Sequence, residues 1–192
     1  MMIHEAVMQD DIVQCQCELA AWSEVCERCM REEFGLPQKS TTMARRFFEL
    51  SDGRRISALH WHCHLPPGLI LIHGGAQSAH CWDAVALALD QPLLAIDLPS
   101  HGHSDSARDG IHDPANLAAD LIEVLLQVDE KHNVPARTLC GMSLGGLACI
   151  RLYTLRPDLV QSLILVDVTP GICSSAAHPL APMLILPVYL FA

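Results

Sequence analysis

Ser143 stands in the run Gly141-Met142-Ser143-Leu144-Gly145-Gly146, between a short apolar stretch, residues 136–140, and a segment of helical character, residues 144–156. A serine between two glycines at a strand-to-helix junction suits a nucleophile elbow, a turn so sharp that it lifts the hydroxyl clear of the sheet. Gly141 and Gly145 answer a steric demand, because a side chain at either would meet the neighbouring strand or helix. The helix that follows presents its free N-terminal amides at the same spot, so Leu144 N–H can donate to a developing oxyanion. The chemistry this predicts is acyl transfer through a serine.

Upstream, the apolar run Gly68-Leu69-Ile70-Leu71-Ile72 leads directly into His73-Gly74-Gly75-Ala76. Glycines there let backbone amides approach a carbonyl oxygen without obstruction, which makes Gly75 N–H the second oxyanion donor. A helix is predicted over 79–89, then a strand over 92–96 closed by Asp97-Leu98-Pro99-Ser100-His101-Gly102-His103-Ser104. Asp113-Pro114 is a cap with proline in the first helical position, and Leu117, Leu121, Val124, Leu125 and Val128 form the inward stripe of the next helix. After the serine's helix, a strand over 163–166 ends in Asp167-Val168-Thr169-Pro170. Residues 45–50 and 54–61 read as a hairpin turning at Asp52-Gly53. The alternation of strand and helix predicts an α/β fold whose parallel sheet collects its ligands at the strands' C-terminal ends.

The four motifs at His73-Gly74, Asp97 to Ser104, Gly141 to Gly146 and Leu165 to Pro170, in that order, resemble the α/β-hydrolase superfamily, in its lid-bearing, serine esterase and lipase-like branch. The resemblance covers residues 44 to about 175. It implies a mostly parallel sheet with helices on both faces and a serine hydrolase of small-molecule esters, with amides and thioesters as lesser alternatives. By carry-over, Ser143 is the nucleophile, Gly75 and Leu144 supply the oxyanion amides, and Asp167 is the candidate acid. His73 and His101 brace loops. Serine at the elbow excludes the aspartate nucleophile of the superfamily's dehalogenases and epoxide hydrolases. The triad order of this superfamily puts the histidine last. Of eleven histidines only His178 follows Ser143, in a segment heading away from the sheet.

Residues 1–40 therefore read as an N-terminal helical extension, and 41–192 as an incomplete hydrolase domain lacking its last two strands, with a lid beginning near 175. The strand at 163–168 would then be an exposed edge, open to self-association. The rival expectation is a truncated, non-catalytic chain that at most binds ligands.

Composition narrows the partners. A net charge of −10 without a basic block disfavours nucleic acid and anionic membrane, and a small apolar acyl substrate fits better. No uncharged apolar run is long enough to span a bilayer, and Glu5, Asp10 and Asp11 are unlike the basic start of a secretory leader, so the expected location is cytoplasmic. Nine cysteines, an odd number without framework spacing, read as reduced thiols. Ile12, Leu19, Trp22, Cys26, Cys29 and Met30 recur at helical spacing from Asp11 to Phe34. Cys15, Cys17, Cys26 and Cys29 pack on that helix better than they surround zinc, because eight residues between the pairs is short. His60, His62 and His64 would share one strand face, yet no carboxylate accompanies them and Pro66-Pro67 ends the strand. Neither a metal nor a cofactor is expected.

Overall fold

Neighbouring residues of the central strands are buried on opposite faces of one sheet, which is why those strands are apolar without interruption. The computed structural model describes residues 28–37, 41–132, 137–168 and 189–191. In chain order these form α1 (Arg28–Glu33), β1 (Met43–Glu49), β2 (Arg55–Trp61), β3 (Leu69–Ile72), a 3₁₀ turn (Ala79–Trp82), α2 (Asp83–Leu89) and β4 (Leu93–Ile96). There follow α3 (Pro114–His132), β5 (Arg137–Met142), α4 (Leu144–Leu155), β6 (Val160–Val166) and β7 (Tyr189–Phe191). The sheet order is β1-β2-β4-β3-β5-β6-β7. β4, β3, β5 and β6 are mutually parallel, while β1, β2 and β7 join antiparallel.

Ile70, Ile72, Leu94, Ile96 and Leu139 face α3 and α4, where Leu117, Leu121, Val124, Leu125, Ala148 and Leu152 complete the larger core. Leu69, Leu71, Leu93 and Ala95 face the other way, onto Trp82, Ala86 and Leu87. Met30 and Leu36 pack against this second core, and Arg31 donates to Pro37 O and to Thr41 Oγ1 at 2.8 Å, so the chain around α1 is fastened to the sheet. The rest of the predicted N-terminal helix, with Cys15, Cys17 and Cys26, lies outside the described residues.

Elements begin and end where side chains take up their backbone groups. Asp113 Oδ1 accepts from Ala115 N–H at 2.7 Å and Asn116 N–H at 3.0 Å, capping α3 just before its proline. The single helix expected over 79–89 is a 3₁₀ turn and then α2, because Asp97 Oδ1 takes the Ala79 amide at 2.7 Å and fixes how the chain enters. The three histidines do not share a face. β2 stops at Trp61, and His62 has left-handed backbone at φ 51°. His60 Nε2 meets Leu65 O at 3.0 Å, His62 Nε2 meets Asp90 Oδ1 at 3.1 Å, and His64 Nδ1 meets Thr42 Oγ1 at 3.2 Å.

The expected exposed edge is corrected by β7. Tyr189, Leu190 and Phe191 pair antiparallel with Leu165, Ile164 and Leu163, so the apolar middle of β6 is hydrogen-bonded within its own chain. Unpaired backbone on an apolar strand is costly, and a second apolar segment of the same chain relieves it.

One buried ion pair ties the first strands to the loops above the sheet. Asp97, 1% exposed, accepts from Arg45 Nη1 at 3.0 Å, Ser57 Oγ at 2.9 Å, Ala79 N–H at 2.7 Å and His103 N–H at 3.2 Å. Removing only the cation strands a carboxylate away from water. Arg45→Met is therefore expected to lower the unfolding free energy by about 3–5 kcal/mol, measured by urea denaturation.

Candidate active site

The turn at Ser143 is built as its glycines require. Ser143 has φ 47° and ψ −115°, outside the ordinary regions for a residue with a side chain, and it is exposed. Its amide donates to Val166 O at 3.0 Å, and its carbonyl starts α4 by accepting from Leu147 N–H at 3.0 Å. A Cβ on Gly141 would come to 2.7 Å from Gly145 O and 2.7 Å from Gly146 Cα. One on Gly145 would meet Ile72 O at 2.6 Å, and one on Gly146 would meet Val168 Cγ2. β3, β5 and α4 are thus in backbone contact around the serine.

The loop after β3 lies against that turn. A Cβ on Gly74 would stand 3.3 Å from Ser143 Cβ, and one on Gly75 would stand 3.9 Å from Leu144 Cδ2. Gly74 N–H donates to Gln77 Oε1 at 2.9 Å and Ala76 N–H to His101 Nε2 at 3.1 Å. Between them, the exposed Gly75 amide has no acceptor among the described residues, and neither has the Leu144 amide at the first position of α4.

His73 and His101 hold the two loops together. His73 is fully buried, donates from Nδ1 to Gly74 O at 2.7 Å and accepts from Leu98 N–H at Nε2 at 2.9 Å. Burial pushes its imidazole below the ordinary value, and the accepted bond requires a neutral Nε2. His101 donates from Nδ1 to Pro99 O at 2.8 Å, and its ring centroid lies 5.1 Å from that of His73.

Asp167 directly follows β6, one residue after the carbonyl that receives the Ser143 amide. It is exposed, with φ 53° and no hydrogen-bond or ion-pair partner among the described residues. His178 lies outside the described residues. Cys140 and Cys149, beside the elbow, are buried, which pushes the Cys140 thiol up to about 11 and the Cys149 thiol higher still. Both remain thiols at neutral pH. Among the described residues no group of three or more His, Cys, Asp or Glu side chains is arranged to hold a metal ion. Nor is any described helix long and apolar enough to cross a membrane.

Sequence reasoning passed over Gln77 and Arg45. Gln77 follows the His-Gly-Gly run closely enough to be suspected as a loop acceptor, but nothing in the sequence announces that Arg45 reaches Asp97.

A strained, exposed residue at the junction of β5 and α4, above a mostly parallel sheet, is the architecture of an α/β hydrolase. The chain belongs to the alpha/beta hydrolase family, whose sequence profile matches residues 69–191. It is 48% identical over 116 residues to Esterase Rv0045c of Mycobacterium tuberculosis, a match covering 60% of this chain and 37% of that protein. The pimeloyl-(acyl-carrier protein) methyl ester esterase of Nitrosomonas europaea is 37% identical over 117 residues, covering 59% of this chain and 42% of the relative. The crystal structure of Esterase Rv0045c superposes with a TM-score of 0.63 at 39% identity, over 74% of this chain and 47% of that one. The chain thus spans under half the length of the relatives it matches.

His73 also makes stability depend on pH. Its folded value lies below the unfolded value of about 6.5, so beneath that pH the unfolded chain takes up a proton that the folded chain refuses. Stability is full above about pH 6.5 and falls as pH drops toward the folded value, by up to about 1.4 kcal/mol per pH unit. Urea unfolding at a series of pH values should show this slope in the wild type and a shallower one in His73→Gln.

Proposed function

We propose that this chain carries the nucleophile and oxyanion half of a serine esterase acting on small-molecule esters with apolar acyl groups. Ser143 Oγ attacks the ester carbonyl as its proton passes to a base, and the amides of Gly75 and Leu144 hold the oxyanion of the tetrahedral intermediate. Its collapse breaks the bond to the alcohol, which departs with that proton and leaves an acyl-enzyme, and water then hydrolyses the acyl-enzyme to the acid and free Ser143. Asp167 is the acid that orients a histidine base. The observation that carries the reading is the pair of amides without acceptors among the described residues, one on each side of an exposed serine in strained backbone. The relatives named as esterases support ester hydrolysis over other hydrolase chemistry.

Fluorophosphonate labelling mapped by mass spectrometry tests the nucleophile. The expected result is slow labelling at Ser143, lost in Ser143→Ala, because a serine hydroxyl without an adjacent base is a weak nucleophile, and among the described residues no histidine is hydrogen-bonded to Ser143. Modification at another residue, or none with excess probe, would sink the proposal. His178→Ala then asks whether a base acts in this chain at all. Gly75→Pro, which deletes the donor, should slow labelling about 10²–10³-fold. Gly75→Ala keeps the amide, and its Cβ meets only Leu144 Cδ2 at an ordinary 3.9 Å, so it should label nearly as wild type. Asp167→Asn should match the loss caused by His178→Ala if the two act as one unit.

A further inference from the structure

We propose that His101 and Gln77 are positioning residues that, with His73, clamp three consecutive peptide groups and so aim the Gly75 N–H at the reacting oxygen. The inference rests on the oxyanion role given to Gly75 above. Gln77 Oε1 holds the Gly74 amide at 2.9 Å, and His101 Nε2 holds the Ala76 amide at 3.1 Å. The peptide group between those two contains both Gly74 C=O and Gly75 N–H. Because a trans peptide is planar, its C=O and N–H point in opposite directions. His73 Nδ1–H, donating to Gly74 O at 2.7 Å, therefore turns the Gly75 N–H to the opposite side.

Such a clamp is needed because the loop is not held by its own backbone preferences. Gly74 and Gly75 are intrinsically free to rotate, and Ala76 sits at φ 60°, a conformation that an alanine leaves unless something holds it. His101 supplies that hold from the next loop, where its own ring is fixed by Nδ1 donating to Pro99 O at 2.8 Å. An oxyanion donor acts through orientation already present before reaction, and a misplacement of about 1 Å can cost on the order of 10²-fold. Neither side chain touches substrate in this account; both act through Gly75.

The test uses the full chain in two arms. In the first, the fluorophosphonate reaction is resolved into KI and kinact. His101→Leu and Gln77→Met should each lower kinact about 10- to 100-fold with KI little changed, since binding of the probe does not need the amide's aim. His101→Gln, whose Oε1 can accept the Ala76 amide, should recover most of the loss. In the second arm, amide hydrogen exchange by NMR needs no reaction. Ala76 should be protected in the wild type and in His101→Gln but exchange faster in His101→Leu, while Gly75 exchanges freely in all three. Unchanged Ala76 exchange in His101→Leu would overturn the clamp, as would an unchanged kinact in both His101→Leu and Gln77→Met. Labelling that survives Ser143→Ala would overturn the assignment of the nucleophile instead, and the exchange arm would still decide the clamp.

Discussion

The carboxylate of Asp97 is the constraint on which the upper side of the sheet depends. It leaves water completely, and in return it takes donors from four parts of the chain: Arg45 in β1, Ser57 in β2, Ala79 before α2 and His103 in the loop after β4. A buried charge tolerates few arrangements, because every missing donor leaves a lone pair unsatisfied in a medium that screens poorly. The loops after β3 and β4 are consequently pinned relative to the antiparallel strands. Gly102, at φ 53°, lets the backbone pass so near that a Cβ there would overlap the carboxylate. Position, more than net stability, is what such a group contributes.

Around Ser143 a different force does the equivalent work. Gly141, Gly145 and Gly146 allow β3, β5 and α4 to approach until their backbones touch, and this close approach holds the serine at an unfavourable φ. The strain is maintained by packing on the face of the sheet covered by α3 and α4, where Ile72, Leu139, Ala148 and Cys149 leave no room for the turn to relax. Asp97 fixes the loop and the glycines fix the elbow. The two meet where the loop at Gly74 and Gly75 lies against Ser143 and Leu144.

Much of this was legible in the sequence. Gly68 to Ile72 and Pro92 to Ile96 read as strands buried on both sides, because a covered parallel strand can be apolar at every position, and the strands run over Leu69–Ile72 and Leu93–Ile96. Asp113-Pro114 marked the start of α3, and the glycine spacing around Ser143 marked the tight turn between β5 and α4. These are local signals, each carried by a few adjacent residues. β6 began at Val160, earlier than expected, because Gln161 and Ser162 interrupt the apolar run although Val160 and Ser162 pair with β5 on either side of an irregularity at Gln161. The alternation of His60, His62 and His64 suggested a shared face, but the turn at His62 took them to three partners.

What the sequence by itself determined, then, is the succession of strands and helices, the fully buried central strands and the glycine-lined turn that presents Ser143. Each follows from side-chain size, hydrophobic pattern or backbone freedom over a handful of neighbouring positions. Only the tertiary structure decided that Tyr189–Phe191 would close the side of β6, that Arg45 would neutralise Asp97, and that Gln77 and His101 would occupy the amides flanking Gly75. Apart from Gln77, these partners are separated by 23 or more residues, and all depend on where a loop or side chain comes to rest once the sheet is packed. A residue's type announces that it can donate, accept or pair, but its partner is chosen by the fold.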